Sequence, residues 1–365
     1  MLVMRNTYSV LIALGSICLT LLMKAEAQTN SQPVQQQAAT TADLPFTTQL
    51  KKAIVFVETD CLHVPTPEEL ATLDPTERAK WTPEAIAQLR PAELLQMKRD
   101  PWYGTGFIVF VPEGRLGTDR GIVYIITNRH VAQPGIEHGR PCKVVARSFR
   151  LNRRYVHLGE ASHLQVVPTG VDDTWIYPDD PAVDLAVSNV SVSQEDWDYL
   201  SIPLGMFLLE EMVDQKKVVE GDPVLFAGVF IQYSGVSKLD PIVRSGSIAM
   251  FPSDLIGTTL GKPGRVYFTE AHVFGGNSGS PMFVQAPLVR SRTEFNFKFL
   301  GVVSGEVFES SDLTLQVATS YKANLAANSN ISVVVPAEEV KKLLLSPRLV
   351  KGRDDFVAAY LLQKK

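Results

Sequence analysis

The stretch GIVYIITNRHVA, Gly121 to Ala132, is an apolar run rich in β-branched residues that stops at a polar corner containing His130. Such runs, bounded by Gly, Pro or Asp, are typical of short strands. They recur along most of the chain, without the regular alternation with helices that marks an α/β fold. The sequence therefore predicts an all-β barrel or sandwich, built from this stretch and from TGFIVFV, CKVVAR, HLQVVPT, DLAVSNV, PVLFAGVFI, IVRSGSIAM, RVYFTE, FKFLGVVSG and ISVVVP.

Helical patterns interrupt these runs at two places. Within 65–99, four dipeptides that end in proline are each followed closely by glutamate. They are Thr66-Pro67, Asp74-Pro75, Thr82-Pro83 and Arg90-Pro91. A capping side chain followed by proline favours a helix start, so we predict a helical insertion over 65–99. It is either a surface embellishment, which we favour, or a lid or partner-binding element. AEEVKKLLL, at Ala337 to Leu345, predicts an amphipathic helix, and a charged tail over 346–365 follows.

The N-terminal residues predict export rather than a part of the fold. Arg5 precedes the apolar stretch Val10 to Met23, and Ala25-Glu26-Ala27 follows with the small residues of a cleavage site. We therefore predict a signal peptide over 1–27 and a secreted or periplasmic protein, with no stable membrane insertion after cleavage. The alternative is an uncleaved anchor. The polar, Gln-rich segment 28–43 predicts a disordered linker.

Charge and cysteine content narrow the class of protein further. The 365-residue chain has a formal net charge of -4, which gives no sign of a nucleic-acid partner. Cys18 would leave with the signal peptide, so Cys61 and Cys142 remain. An even pair in an exported chain predicts a Cys61–Cys142 disulfide, and the alternative is two separate buried thiols.

The segment FGGNSGSP, Phe274 to Pro281, places Ser278 in a loop of permissive backbone. A serine nucleophile needs a histidine base, and that histidine needs a carboxylate to hold its tautomer. All six histidines precede Ser278, which excludes the order of an α/β-hydrolase. His130 at the end of one apolar run and Asp184 at the head of another are the candidates that complete the set, with the neighbouring acids Asp172, Asp173, Asp179 and Asp180 as rivals for Asp184.

Three motifs in this order resemble those of the trypsin-like serine peptidases: TNRHV around His130, DLAV at Asp184 and GNSGSP around Ser278. The similarity covers roughly Leu44 to Leu345 and is greatest to the bacterial HtrA-like and glutamyl-endopeptidase-like branch. It implies a peptidase domain over 44–345 of the chymotrypsin type, a double β-barrel with the helical insertion and a C-terminal helix. It also implies that the main-chain N–H groups of Gly276 and Ser278 form an oxyanion hole.

Two positions depart from the trypsin pattern. Asn277 stands where many of these enzymes have the aspartate that binds a new N-terminus, so we expect no activation cleavage. The resemblance also gives the residues of the substrate pocket. The aspartate of trypsin is replaced by His272, and the histidine of the glutamate-selective enzymes is replaced by Val303. We therefore expect a small or aliphatic substrate residue, contacted by His272, Val273, Val303, Ser304 and Gly305. Ser304 resembles the family serine that supports the catalytic aspartate.

The function that these observations predict is a serine endopeptidase acting on proteins or peptides, with no cofactor and no metal. The alternative is an inactive scaffold of the same fold that acts as a binding or adhesion module. The spacing His157-x-x-Glu160-x-x-His163 is more typical of a solvated loop than of a metal site. We expect no PDZ-sized module after Leu345, and the sequence does not indicate an oligomeric state.

Overall fold

The computed structural model describes residues 44–365 apart from 95, 118–119, 140–141, 156–163, 170–174, 234, 236, 288–295, 317–319 and 364–365. The predicted signal peptide, 1–27, and linker, 28–43, lie outside the described residues. All elements described below belong to one compact unit, Pro45–Lys365. Within the described residues, no helix has both the length and the apolar character needed to cross a membrane.

The first half of this unit is an eight-stranded sheet in the order β5-β4-β1-β2-β3-β7-β6, and β8 pairs with β2. At its centre, Phe107, Ile108 and Val109 of β2 are fully buried. The strand bounds are β1 Ile54–Leu62, β2 Arg99–Pro112, β3 Gly121–Thr127, β4 Val144–Asn152, β5 Leu164–Thr169, β6 Trp175–Ile176, β7 Ala186–Val190 and β8 Ile202–Pro203.

The second half is a closed barrel in the order β10-β13-β16-β15-β14-β9, with β11 and β12 paired as a separate ribbon. Each run singled out in the sequence overlaps one of these strands or a strand of the first sheet. The expected all-β, double-barrel class is confirmed. β15 and β16 extend far beyond the predicted runs as one long hairpin. The bounds are β9 Pro223–Gly228, β10 Ile242–Met250, β11 Ile256–Gly257, β12 Pro263–Gly264, β13 Tyr267–Glu270, β14 Pro281–Gln285, β15 Phe297–Gln316 and β16 Ser320–Pro336.

The predicted short helices are present at all four proline positions. Thr66 Oγ1 accepts a hydrogen bond from Glu69 N (3.2 Å), and Asp74 and Thr82 cap the next two helices in the same way. Four helices were not predicted: α1 before the first strand, the short helices α6 and α7, and α9, which occupies most of the expected charged tail. The helices are α1 Phe46–Ala53, α2 Pro67–Thr72, α3 Pro75–Ala79, α4 Pro83–Ala87, α5 Pro91–Leu94, α6 Arg129–Ala132, α7 Glu210–Asp214, α8 Ala337–Leu344 and α9 Pro347–Gln363.

The two halves share one hydrophobic core. Phe107 of β2 lies 5.3 Å, ring centre to ring centre, from Phe299 of β15, which also contacts Phe283 of β14 at 5.6 Å. Phe46 of α1 packs against the same Phe283 ring at 5.1 Å. Because aromatic side chains from both halves interlock, the ends of β3 and β7 are held against the loop that precedes β14.

The predicted disulfide between Cys61 and Cys142 is present, with a Cα–Cα distance of 5.7 Å. Cys61 lies near the end of β1, and Cys142 lies just before β4. The bond therefore closes a segment that contains the helical insertion, β2, β3 and the helix α6 that carries His130.

Candidate active site

His130 lies on α6, a single helical turn that begins where β3 ends. The turn is fixed on its buried side, because the carbonyl of Val131 accepts from Thr59 Oγ1 (2.9 Å) and that of Ala132 accepts from Arg147 Nε (2.8 Å). The preceding Asn128 donates through Nδ2 to the carbonyl of Asp184 (2.8 Å). These bonds hold the start of α6 against the segment that leads into β7.

The carboxylate of Asp184 is almost fully buried and receives hydrogen bonds from three side chains and one main-chain group. Oδ2 lies 2.7 Å from His130 Nδ1, and Oδ1 accepts from His130 N at 3.1 Å. Oδ2 also accepts from Ser304 Oγ (2.5 Å) and Thr259 Oγ1 (3.1 Å). An acceptor on Nδ1 fixes the ring and leaves Nε2 as the free basic nitrogen.

The rival acids do not take this position. Asp180 accepts from Ala182 N through its own Oδ1, and no contact joins Asp179 to His130 in the described part of the chain. Asp172 and Asp173 lie outside the described residues. Ser304 occupies the supporting position that the resemblance implied, whereas Thr259 carried no sequence signal, because it lies in a polar loop segment between β11 and β12.

His130 and Asp184 each shift the pKa of the other. Burial alone lowers the pKa of His130, but the charge and hydrogen bond of Asp184, with a smaller contribution from Glu137, outweigh burial and raise that pKa above 6.5. Burial alone raises the pKa of Asp184, but His130 and Ser304 outweigh it and lower that pKa. The geometry therefore favours an ionised Asp184 beside an imidazole that binds a proton more strongly than an ordinary histidine.

The loop around Ser278 is fixed by its neighbours in both halves. Gly279 has a φ of +90°, and a Cβ on it would lie 1.8 Å from the carbonyl oxygen of Thr105, so glycine is required there. Asn277 is buried, and its side chain accepts from Phe274 N (3.0 Å) and donates to the carbonyl of Val229 (3.2 Å). The main chain of Thr105 donates to the carbonyl of Ser278 (2.8 Å).

The main-chain N–H groups of Gly276 and Ser278 have no hydrogen-bond acceptor among the described residues. Gly276 has a φ of +96°, and its carbonyl accepts from Thr105 Oγ1 at 2.6 Å. The Thr105 hydroxyl also accepts from Val229 N (2.9 Å), so it links two loops in a buried position. Nothing local marks this role, because Thr105 is the first residue of the apolar run TGFIVFV.

His130 and Ser278 line the same cavity of about 280 Å³. Among the described residues, no hydrogen bond joins Ser278 Oγ to His130 Nε2. Four of the predicted pocket residues also line this cavity: Val273, Val303, Ser304 and Gly305. Three further polar residues, which no sequence motif indicated, also line the cavity: Glu137, Thr259 and Glu306.

His272 does not have the position that the sequence analysis gave it. Its side chain is exposed and is not among the residues that line the cavity. The ring packs edge-on against Phe274, with centres 4.3 Å apart, and Nδ1 contacts Asn330 Oδ1. Its influence on the cavity is electrostatic and acts on Glu306.

In the described part of the chain, no three His, Cys, Asp or Glu side chains are grouped in a way that could hold a metal ion. The candidate spacing His157-x-x-Glu160-x-x-His163 lies outside the described residues.

No protein-family model matches the chain, and no curated protein sequence matches it. Among solved structures, the chain is similar to a crystal structure of Deg5, with a TM-score of 0.40 and 13% identity over 81% of this chain and 88% of that chain. It is also similar to the HtrA-type protease AlgW with a decapeptide, with a TM-score of 0.40 and 15% identity over 84% of this chain and 73% of that chain.

Proposed function

We propose that this protein is an exported serine endopeptidase of the trypsin-like class, and that Ser278, His130 and Asp184 carry its chemistry. One observation carries the proposal: the His130–Asp184 pair shares a cavity with Ser278 and with two main-chain N–H groups that have no acceptor in the described structure. Acyl transfer requires a neutral imidazole beside the serine, held in one orientation by a buried carboxylate.

The proposed reaction begins when His130 Nε2 takes the proton from Ser278 Oγ as that oxygen attacks the substrate carbonyl carbon. The carbonyl oxygen becomes an oxyanion and accepts hydrogen bonds from Gly276 N and Ser278 N. His130 then gives its proton to the leaving amine, and the peptide bond breaks. Water, activated by the same imidazole, releases the acyl group and restores Ser278.

In this mechanism Asp184 stabilises the imidazolium that forms at His130. Ser304 and Thr259 occupy further acceptor positions on the same carboxylate, so the carboxylate is held in one orientation. Removing one donor from an oxyanion hole costs about 2.7–4 kcal/mol of transition-state stabilisation, which makes the orientation of the 276–278 backbone the second requirement of the site.

Activation by cleavage is not part of the proposal. Asn277 is buried and neutral, and its amide is already satisfied by main-chain groups of Phe274 and Val229. A buried amide with these partners needs no ammonium group from a new N-terminus. Full-length mature protein that gains activity only after a cut near Leu44 would contradict this part of the proposal.

A second candidate function is an inactive binding module on the same scaffold. The observation in its favour is that Ser278 Oγ makes no hydrogen bond to His130 in the described structure, and the helical insertion offers a surface for a partner. Such a module would have no use for the free pair of N–H donors at Gly276 and Ser278.

A fluorophosphonate probe distinguishes the two functions, because it reacts only with an activated serine. We expect labelling of the folded protein that is lost in Ser278→Ala and strongly reduced in His130→Ala. Ser280→Ala is the matched control, since Ser280 is two residues away and fully buried, and labelling should persist. Folded protein that is neither labelled nor able to cleave casein would support the binding module.

A further inference from the structure

The turn that carries the first proposed oxyanion donor is anchored through the residues at its two ends. Asn277 N donates to the carbonyl of Phe274 (2.9 Å) and closes the turn over Gly275 and Gly276. A Cβ on Gly275 would meet no atom within 4 Å beyond the adjacent residues, and its carbonyl accepts no hydrogen bond among the described residues. The peptide unit that joins Gly275 to Gly276 contains the Gly276 N–H, and it therefore takes its direction from the residues on either side.

Asn277 anchors one end of this turn through its buried amide, and Phe274 anchors the other end through its ring. The Phe274 side chain remains 41% exposed, so burial in the core does not fix the ring. Three neighbours contact it instead: Arg244 Cζ lies 4.6 Å from the ring centre, and the rings of His272 and Phe230 lie 4.3 and 6.3 Å away, centre to centre. The position of the Phe274 main chain, and of the turn that follows it, depends on these contacts.

Arg244 contributes the cationic group to this set of neighbours. It is half-buried on β10, and burial lowers the pKa of its guanidinium group. Its Nε is buried without a hydrogen-bond partner, and no carboxylate pairs with Arg244 in the described part of the chain. A guanidinium that is partly removed from water and has no anionic partner is attracted to the face of an aromatic ring. The contact should therefore hold the Phe274 ring more firmly than apolar packing alone would.

We propose that Arg244 is a positioning residue of the candidate site, which holds the ring of Phe274 and thereby directs the Gly276 N–H toward the oxyanion. The inference rests on the proposed endopeptidase function. Arg244 is not among the residues that line the cavity with His130 and Ser278, so it acts through Phe274, which is among them. A donor that points away from the oxyanion weakens binding of the transition state, whereas binding of the uncleaved substrate does not depend on that donor.

The test measures kcat and KM of the protein with a fluorogenic peptide amide. Arg244→Met keeps an unbranched stem and removes the charge, so we expect kcat to fall about tenfold while KM changes by less than about twofold. The affinity for a peptide aldehyde, whose adduct with Ser278 places an oxygen in the position of the oxyanion, should fall by the same factor as kcat/KM. Arg244→Lys should restore part of kcat, because an ammonium group is also attracted to the ring.

Arg153→Met is the matched control. Arg153 is also half-buried, and its Cζ lies 5.0 Å from the ring centre of Trp197, which does not line the cavity. This variant should leave kcat and KM unchanged. Phe274→Leu should lower kcat on its own, and adding Arg244→Met to it should cause little further loss, because the two residues act as one unit.

Four results would overturn the inference and leave the proposed function in place. They are an unchanged kcat in Arg244→Met, an equal loss of kcat in Arg153→Met, independent losses of kcat in the double variant, and a rise in KM that accounts for the whole loss of kcat/KM. If the folded parent protein neither reacts with a fluorophosphonate at Ser278 nor cleaves a peptide, the proposed function fails, and this inference fails with it.

Discussion

A single hydroxyl group links the loops that form the candidate site. Thr105 Oγ1 donates to the carbonyl of Gly276 and accepts from Val229 N, and the residue is fully buried. Because the carbonyl of Gly276 is held by this bond, the peptide plane that follows it is fixed, and with it the direction of the nearby N–H donors. A residue in a predicted strand thus positions a loop that is 171 residues away in sequence.

Replacing Thr105 with valine tests this role, since valine has the same shape but no hydroxyl. The carbonyl of Gly276 and the N–H of Val229 would lose their partner, which should cost about 1–3 kcal/mol of folding free energy for each buried group left unsatisfied. We also expect kcat to fall, because the oxyanion donors lose their fixed direction. Urea unfolding and peptide hydrolysis measure the two effects.

Thr269→Val is a control for the stability effect. Thr269 is also fully buried, and its hydroxyl contacts Ser332 Oγ (2.6 Å) in the barrel wall. It should lower the unfolding free energy without a comparable loss of kcat. Equal losses of kcat in both variants would mean that Thr105 acts only through general stability.

The pH dependence of activity follows from the state of His130. The imidazole accepts a proton only when it is neutral, and its pKa is raised above 6.5 in spite of burial, chiefly by Asp184. Activity should therefore be lost as the pH falls through a midpoint above 6.5. The measurement is kcat/KM for an uncharged peptide between pH 5 and 9, and an acid limb centred well below 6.5 would contradict the ion-pair geometry.

The position of the acid limb also depends on Glu137, because its negative charge contributes to raising the pKa of His130. Glu137→Gln removes that charge and keeps the shape, so the acid limb should move to lower pH. A midpoint that does not move would show that the Glu137 carboxylate is screened from the imidazole by solvent.

At the level of elements, the sequence predicted those parts of the fold that depend on local chemistry. The apolar runs became strands because β-branched residues and Gly, Pro or Asp boundaries act over a few residues. The insertion helices formed where Thr66, Asp74 and Thr82 cap a proline start. Helix α9 was missed, because its charged sequence has no clear apolar stripe and its buried side chains are few.

The same distinction applies to the candidate site. Motifs identified His130, Asp184 and Ser278, whose roles remain predictions, because each lies at a recognisable strand end or glycine loop. Thr259 and Glu306 were not identified, since nothing local marks a residue that reaches the site only through the fold. Only the family resemblance placed His272 in the pocket, and the structure leaves it exposed at the surface, packed on Phe274.

The Cys61–Cys142 disulfide should stabilise the first half. It spans 81 residues, and that span includes the insertion, β2, β3 and α6. Removing a native disulfide typically costs about 2–5 kcal/mol. Cys61→Ser with Cys142→Ser should therefore lower the urea midpoint, and dithiothreitol should lower it in the parent but not in the double variant. An unchanged midpoint would mean that packing alone holds this segment.

At the scale of the whole molecule, the candidate site lies where the two halves meet. His130 and Asp184 come from the first sheet, and Ser278 and Ser304 come from the barrel, so their separation depends on the shared core. Side chains from both halves, such as Phe107 and Phe299, belong to that core, and so do Leu344 of α8 and Leu349 of α9. The end of the chain therefore helps to fix the distance on which the proposed chemistry depends.

Helix α9 follows the second half in sequence but packs against the first half. Arg353 is buried and donates to the carbonyl of Leu344 (2.9 Å) and to the hydroxyl of Tyr124 on β3 (3.3 Å). Arg115, in the turn after β2, pairs with Asp354 at 2.7 Å. Since Tyr124 lies on the strand that leads directly into α6, α9 braces the element that carries His130.

Truncation after Leu345 is the last prediction, and it opposes the sequence-based expectation that 346–365 is a simple charged tail. Loss of α9 removes the buried side chains of Leu349 and Val357 and exposes the surface that they cover, which should cost about 3–6 kcal/mol at roughly 1.5–3 kcal/mol for each side chain. It also leaves Tyr124 and Leu344 without Arg353, so we expect the fluorophosphonate labelling rate of Ser278 to fall together with the urea midpoint. Lys351→Ala, which changes only an exposed side chain of the same helix, should alter neither quantity. A truncated protein with the parent's urea midpoint and labelling rate would show that the two halves hold the site in place without this helix.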